Sequence, residues 1–137
     1  MKCTFDIDRK PVPKKRARAD TSGNSTTFYT PSETKKFEEI IGWAGKRCRP
    51  NGWPLRAYYQ LRFAAYFPNH RIPDLDNVCK SVQDGLEGVL WFNDIRVRKT
   101  EHEALTVPTM RDDGFLRVQA ETIDKLKLER QKIPYAR

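Results

Sequence analysis

The chain has 137 residues, 38% of them apolar and 32% charged, with 26 Lys and Arg against 18 Asp and Glu for a net charge of +8. That length suits one domain with a single core, and the positive surplus favours a polyanionic partner over an acidic or membrane-embedded role. Three widely separated cysteines without a Cys-x-x-Cys pair argue against a zinc cluster or a disulfide framework, and no apolar run reaches spanning length, so a cytoplasmic protein with reduced thiols and no membrane contact is expected.

Taken in chain order, Lys2–Ile7 (KCTFDI) alternates apolar and polar residues as a half-buried strand does. The stretch from Arg9 to Arg18 (RKPVPKKRAR) is basic and punctuated by proline, and residues 9–25 read as a basic arm and loop, with a short strand around Ala17–Asp20 and a turn at TSGNS. A helix start follows: Thr30 as cap, Pro31 in the first turn and Glu33 completing a capping box. Phe37, Ile40, Ile41 and Ala44 recur at helical spacing, which predicts a helix to about Lys46.

After the loop RPNGWP, Leu55–Phe67 is aromatic-rich and loosely alternating, a long central strand stopped by Pro68 and Asn69. A second helix is predicted from about Asp76 to Leu86, ending near Gly88. Two further strands, Ile95–Thr106 and Phe115–Glu121, are expected with RDDG between them as a hairpin turn. The tail 124–137 reads as a short surface helix or a frayed end. This order gives an α+β fold: a single small domain, 1–137, with a mixed β-sheet and two main helices packed on it.

The second helix carries the chemistry. At about 100° per residue, Asp76, Lys80, Asp84 and Glu87 fall within roughly a quarter of its circumference, opposite Val78, Val82, Gly85, Leu86 and Val89. Asp74 stands where the chain enters the helix, and Asp94 at the start of the next strand. Hydrolysis of a phosphodiester requires carboxylates that hold one or two Mg²⁺ ions and a cation that offsets developing charge, and Asp74, Asp76, Asp94 and Lys80, with Asp84, are such a set. The same spacing suits a solvated ladder in which Lys80 pairs with Asp76 and Asp84 for a few tenths of a kcal/mol each, or Asp76 as an ordinary helix cap. Spacing alone leaves both readings open.

A resemblance bears on the choice. Asp74-Leu75-Asp76-Asn77, then Lys80, Asp84-Gly85-Leu86 and Gly88, then Trp91-Phe92-Asn93-Asp94, together resemble the signature of RusA-type Holliday junction resolvases. Pro13-Lys14-Lys15-Arg16-Ala17-Arg18 and Tyr29-Thr30-Pro31 are similar to that family's basic lead-in and first-helix start, and the likeness runs from about Pro11 to Val118. It implies a homodimeric, Mg²⁺-dependent endonuclease that binds four-way DNA junctions and nicks two strands of like polarity, in a bacterial or phage-derived setting. By position it implies Asp74, Asp76 and Asp94 as catalytic metal-binding carboxylates and Lys80 as the supporting cation. Where that family often has an acidic pair before the strand, this chain has Asn93-Asp94, so Asp94 keeps the role and Asn93, like Asp84, is a supporting candidate.

For DNA contact the expected residues are Lys10, Lys14, Lys15, Arg16 and Arg18 in the arm, and Arg96 and Arg98, which share a strand face beside Asp94; Lys46, Arg47 and Arg49 form a second basic cluster. The run KKRAR also fits a nuclear-import patch or a solvated arm. Phe67-Pro68-Asn69 or Trp53 can serve as an apolar wedge at the junction centre; Trp43, Tyr58, Tyr59 and Trp91 are aromatic candidates for the dimer surface; His70 and His102 read as structural. The competing functions are a metal nuclease for other branched DNA, a non-catalytic basic DNA-binding module and an RNA-binding domain, which metal-dependent cleavage and RNA competition distinguish.

Overall fold

A computed structural model describes residues 1–15, 18–20, 27–29 and 32–128. Along the chain lie β1 (Lys2–Ile7), β2 (Arg18–Asp20), β3 (Thr27–Tyr29), α1 (Ser32–Cys48), β4 (Tyr58–Phe67), α2 (Leu75–Leu86), a 3₁₀ turn (Asp94–Arg96), β5 (Val97–Thr106), β6 (Phe115–Ile123) and α3 (Lys125–Leu128). The main sheet has the order β1-β6-β4-β5, and β2 and β3 form a separate antiparallel pair. The α+β domain with a mixed sheet and two main helices is therefore as the sequence implied. The expected caps Thr30 and Pro31, the TSGNS turn and Arg16 lie outside the described residues.

One expected connection is corrected. β5 and β6 are not a hairpin: β4 lies between them, pairing parallel with β5 and antiparallel with β6. The α2 crossover returns the chain parallel to β4 on one side, so β6 takes the other side. The loop between β5 and β6 passes the end of β4, where the Val107 N–H donates to Phe67 O at 2.7 Å.

β4 is central because its alternation gives Tyr59, Leu61, Phe63, Ala65 and Phe67 to the buried layer. These meet Phe5 and Ile7 of β1, Leu116 and Val118 of β6, Phe37 and Ile41 of α1, and Val78, Val82 and Leu86 of α2 in one core. Tyr59 and Trp91 are fully buried and Trp53 nearly so, which removes Tyr59 and Trp91 from the dimer-surface candidates and makes Trp53 a loop anchor. Phe67, at 1% exposure, is core and not a wedge. Trp43 is 71% exposed.

Helices α1 and α2 approach closely because glycine lines their contact. A Cβ on Gly85 would meet Glu38 O at 2.8 Å and Ile41 Cβ at 3.0 Å, and one on Gly45 would overlap Leu86 Cδ2 at 2.6 Å. Past Leu86 the chain turns at Gly88, whose φ of +81° is the left-handed conformation that ends helices on glycine. Glu87 thus falls at the C-cap, off the helix face on which its spacing had placed it.

A β-bulge decides what β5 presents. Tyr59 is opposite Val97, but Gln60 is opposite Lys99, so Arg98 is an extra residue in the ladder. One inserted residue exchanges the faces of everything after it. Thr100, His102 and Ala104 therefore share the side of Leu61, Phe63 and Ala65, while Lys99, Glu101 and Glu103 share the outer side with Gln60, Arg62 and Ala64.

Candidate active site

The site forms where α2 begins and the 3₁₀ turn ends its return. Asp74, not Asp76, caps α2: its Oδ1 accepts from the Asp76 N–H at 2.9 Å and the Asn77 N–H at 3.4 Å. Such a cap satisfies amide donors that the first helical turn leaves open. Asp76 is consequently released from capping and its side chain is largely exposed, with Oδ1 3.7 Å from His102 Nε2.

Lys80 stands one turn further along. Its Nζ lies 3.2 Å from Asp94 Oδ2 and 3.3 Å from Asp84 Oδ1. The expected Lys80–Asp84 rung of the ladder is present, but the partner on the other side is Asp94 across the fold rather than Asp76. The other Asp84 oxygen, Oδ2, is 3.2 Å from Lys14 Nζ, which also meets Glu38 Oε1 at 2.6 Å. Burial by itself would lower both lysine pKa values; hydrogen bonds and charge from Glu38 and Asp84 outweigh it at Lys14, those from Asp94 and Asp84 outweigh it at Lys80, and both ammonium groups are held above the ordinary lysine value.

Asp94 Oδ1 is buried and, among the described residues, has no hydrogen-bond partner. The Cys79 thiol, pushed up first by burial, is pushed further by the charges of Asp76 and Asp94. The three cysteines are free thiols, Cys3 and Cys79 buried and Cys48 exposed.

The basic arm runs beside this site. Lys14 N–H donates to Asn77 O at 2.7 Å, and Thr34 Oγ1 to Pro13 O at 3.5 Å, tying the arm to both helices. A cleft of about 580 Å³ opens between the arm and the loop before α2, with Lys10, Lys15, His70 and Arg71 but also Glu33 and Asp113 on its walls. Lys15 also reaches Glu33 at 3.5 Å. Arg18 is at the start of β2. Arg96 ends the 3₁₀ turn and Arg98 is the extra residue of the bulge, so they do not alternate along one strand as expected, but both guanidinium groups stand over the Tyr58 ring, at 5.4 and 5.1 Å from its centroid. Asn93 precedes the 3₁₀ turn without a side-chain capping bond. Of the second basic cluster, Arg49 donates to Val89 O at 3.0 Å and so serves packing.

Two residues beside the site were not foreseen. His102 reaches Asp76 only because of the bulge at Arg98, and its ring stacks on Phe63 with centroids 5.1 Å apart. Glu38 comes to Lys14 through the glycine contact between the helices. His70 contacts Thr106 Oγ1 through Nδ1 at 3.3 Å, a structural use.

Asp84 and Asp94 paired with one lysine, on a domain with a net charge of +8, are an arrangement that a hydrolase of nucleic acid can use, since unneutralised acids repel phosphate. Residues 8–118, most of the chain, match the endodeoxyribonuclease RusA family. The chain belongs to that family of DNA-cleaving enzymes. No curated protein matches it. Among the described residues no helix is long and apolar enough to cross a membrane.

Proposed function

We propose that the protein is a structure-selective endonuclease that binds four-way DNA junctions as a homodimer and resolves them by paired, symmetric, Mg²⁺-dependent nicks in the cytoplasm of a bacterial or phage-infected cell. The observation that carries this reading is Lys80 of α2 held between Asp94 and Asp84, one helical turn from the exposed Asp76, in a chain of the RusA family.

Among the described residues no three His, Cys, Asp or Glu side chains form a ready-made metal cage. Magnesium does not require one: it keeps several waters and is held by one or two carboxylates together with substrate phosphate. Asp94 Oδ1, buried and unpartnered, and the exposed Asp76 carboxylate are hard oxygen donors of the right kind, so the residues fit. Asp76 and Asp94 would hold the ion, with Asp74 beside them at the helix cap. Bound there, Mg²⁺ supplies Lewis-acid stabilisation of the negative charge that builds on the phosphate oxygens.

The chain's own residues do the rest. Lys80, held above its ordinary pKa, keeps a full positive charge next to Asp94 and offsets charge at the scissile phosphate. Lys10, Lys15 and Arg71 line the cleft and bind flanking phosphates, with Arg16, Arg18, Arg96 and Arg98 as further candidates. Asp84 and Asn93 support the site without contacting DNA. Each chain carries one such site, so two nicks related by a two-fold axis require two chains.

The test is cleavage of a synthetic four-way junction beside a linear duplex, with and without Mg²⁺, by the parent and by Asp76→Asn. Paired nicks that need the metal and vanish in a folded Asp76→Asn protein, with junction binding intact or tighter, are expected. Junction binding without cleavage under any divalent ion would leave a DNA-binding module whose acids are structural.

A further inference from the structure

Five charged groups from four parts of the fold form an unbroken alternating chain. Glu38 of α1 holds Lys14 of the arm at 2.6 Å, Lys14 holds Asp84 of α2 at 3.2 Å, Asp84 holds Lys80 at 3.3 Å, and Lys80 holds Asp94 at 3.2 Å. The oxygens are divided without overlap. Asp84 gives Oδ2 to Lys14 and Oδ1 to Lys80, while Asp94 gives Oδ2 to Lys80 and keeps Oδ1 free.

We propose that Lys14 and Glu38 are positioning residues of the active site, acting through Asp84 to orient Lys80 and so to fix which Asp94 oxygen remains available. The inference rests on the nuclease reading of Asp94 and Lys80, and assigns Lys14 a role other than phosphate contact. An ammonium between two carboxylates, only a quarter exposed, has little left for DNA, whereas Lys15 next to it is nearly half exposed. Position also supports it. Lys14 is fixed through its backbone to Asn77 in the first turn of α2, so its side chain is delivered to the Asp84 side of that helix. Glu38 is brought close by the tight approach of α1 to Gly85, the residue after Asp84, where an added Cβ would lie 2.8 Å from the Glu38 carbonyl oxygen. Lys14 is therefore held by a backbone hydrogen bond and Glu38 by close helix packing, constraints that surface ion pairs ordinarily lack. Without Lys14 the Asp84 carboxylate can turn about its χ2, and Lys80 loses a fixed partner opposite Asp94.

Glu38→Gln, Lys14→Met and Lys14→Arg test this in the full-length protein. Three quantities are read: the single-turnover cleavage rate with the junction saturated by protein, junction affinity across a salt series, and the ¹⁵N order parameter of the Lys80 ammonium without metal. Glu38→Gln and Lys14→Met are expected to lower the rate about tenfold, the loss typical for groups that orient a metal-binding residue. Affinity and salt slope stay unchanged, Lys80 becomes more mobile, and Lys14→Arg restores part of the rate. A merely structural ion pair would not produce a rate loss at saturation that Arg repairs. The inference is overturned if Lys80 is as ordered in Glu38→Gln as in the parent, or if Lys14→Met leaves the rate intact while the salt slope falls by about one, as for a lost phosphate contact. A parent protein that never cuts the junction would end the nuclease reading instead, and the Lys80 measurement would still decide whether the chain of charges orders it.

Discussion

The two sides of the sheet use charge in opposite ways. On the outer face, Asp6 and Arg117 pair at 2.8 Å across neighbouring positions of β1 and β6, and Glu101 meets Arg62 and Lys99 at 3.1 and 3.0 Å. These partners sit on adjacent strands or two residues apart and are close to half exposed. On the helix side, the pairs join residues 14, 38, 80, 84 and 94, and Glu38, Asp84 and Asp94 are each under a third exposed. The first arrangement is what any charged sheet surface does in water, and such pairs contribute little. The second ties separate elements together at the proposed active site, where among the described residues one carboxylate oxygen is left without a partner.

The largest expected effect lies at the end of the helix-side chain. Asp94→Asn should slow junction cleavage on the order of 10²–10³-fold, the range seen when one group that stabilises transition-state charge is lost. Binding should hold or tighten, because a negative charge near phosphate is gone and Lys80 is freed. Single-turnover rates and a gel-shift titration measure both. Cleavage at the parental rate would transfer the metal-binding role away from Asp94 and erase the contrast between the two faces.

How much of this was legible in the sequence follows from how local each relation is. Lys80 and Asp84 are one helical turn apart, so helix period alone placed them together with Asp76; Asp74 and Asp94 joined the set from their places at the helix entry and before the next strand, and the resemblance weighed against the salt-bridge reading. The Glu38–Lys14–Asp84 link spans 24 and 70 residues of separation and depends on how closely two helices approach, which no single-element pattern carries. Gly42, Gly45 and Gly85 were the available hint, since small residues at facing positions permit that approach. His102 was missed for a different reason: the bulge at Arg98 reverses the faces of β5, and strict alternation from Arg96 puts His102 on the wrong one. RDDG signals that the chain turns back, but not which strand it returns beside, so the intervening β4 was invisible. The exchange of cap from Asp76 to Asp74 is a shift of two residues in the helix start, within the usual uncertainty of helix ends.

A smaller effect tests the glycine contact that makes the helix side possible. Gly85→Ala places a methyl group 2.8 Å from Glu38 O and 3.0 Å from Ile41. Forced overpacking costs about 1–3 kcal/mol, and the better helix propensity of alanine offsets up to about 1 kcal/mol. A net loss of about 1 kcal/mol in urea unfolding is expected, with a lower cleavage rate as Glu38 is pushed from Lys14. A variant as stable and as active as the parent would show that α1 and α2 separate freely and that their closeness does not set the charge chain.

The smallest effect is expected on the outer face, and its pH dependence gives the comparison its control. The hydrogen bond from Arg117 lowers the Asp6 pKa below 3.8, more than burial raises it. A carboxylate whose folded pKa is depressed contributes stability that is complete above its unfolded value and is lost as pH falls through the folded one. The parent and Asp6→Asn should therefore differ slightly in thermal stability at neutral pH and converge once the pH drops well below 3.8. Because the pair is exposed, added salt should shrink even the neutral-pH difference. Junction cleavage should be the same in both proteins throughout the neutral range, since among the described residues no run of ion pairs connects Asp6 to Asp94. If Asp6→Asn slowed cleavage as Glu38→Gln does, the outer face would belong to the active machinery, and local pairing on one side against linked pairing on the other would cease to separate surface from site.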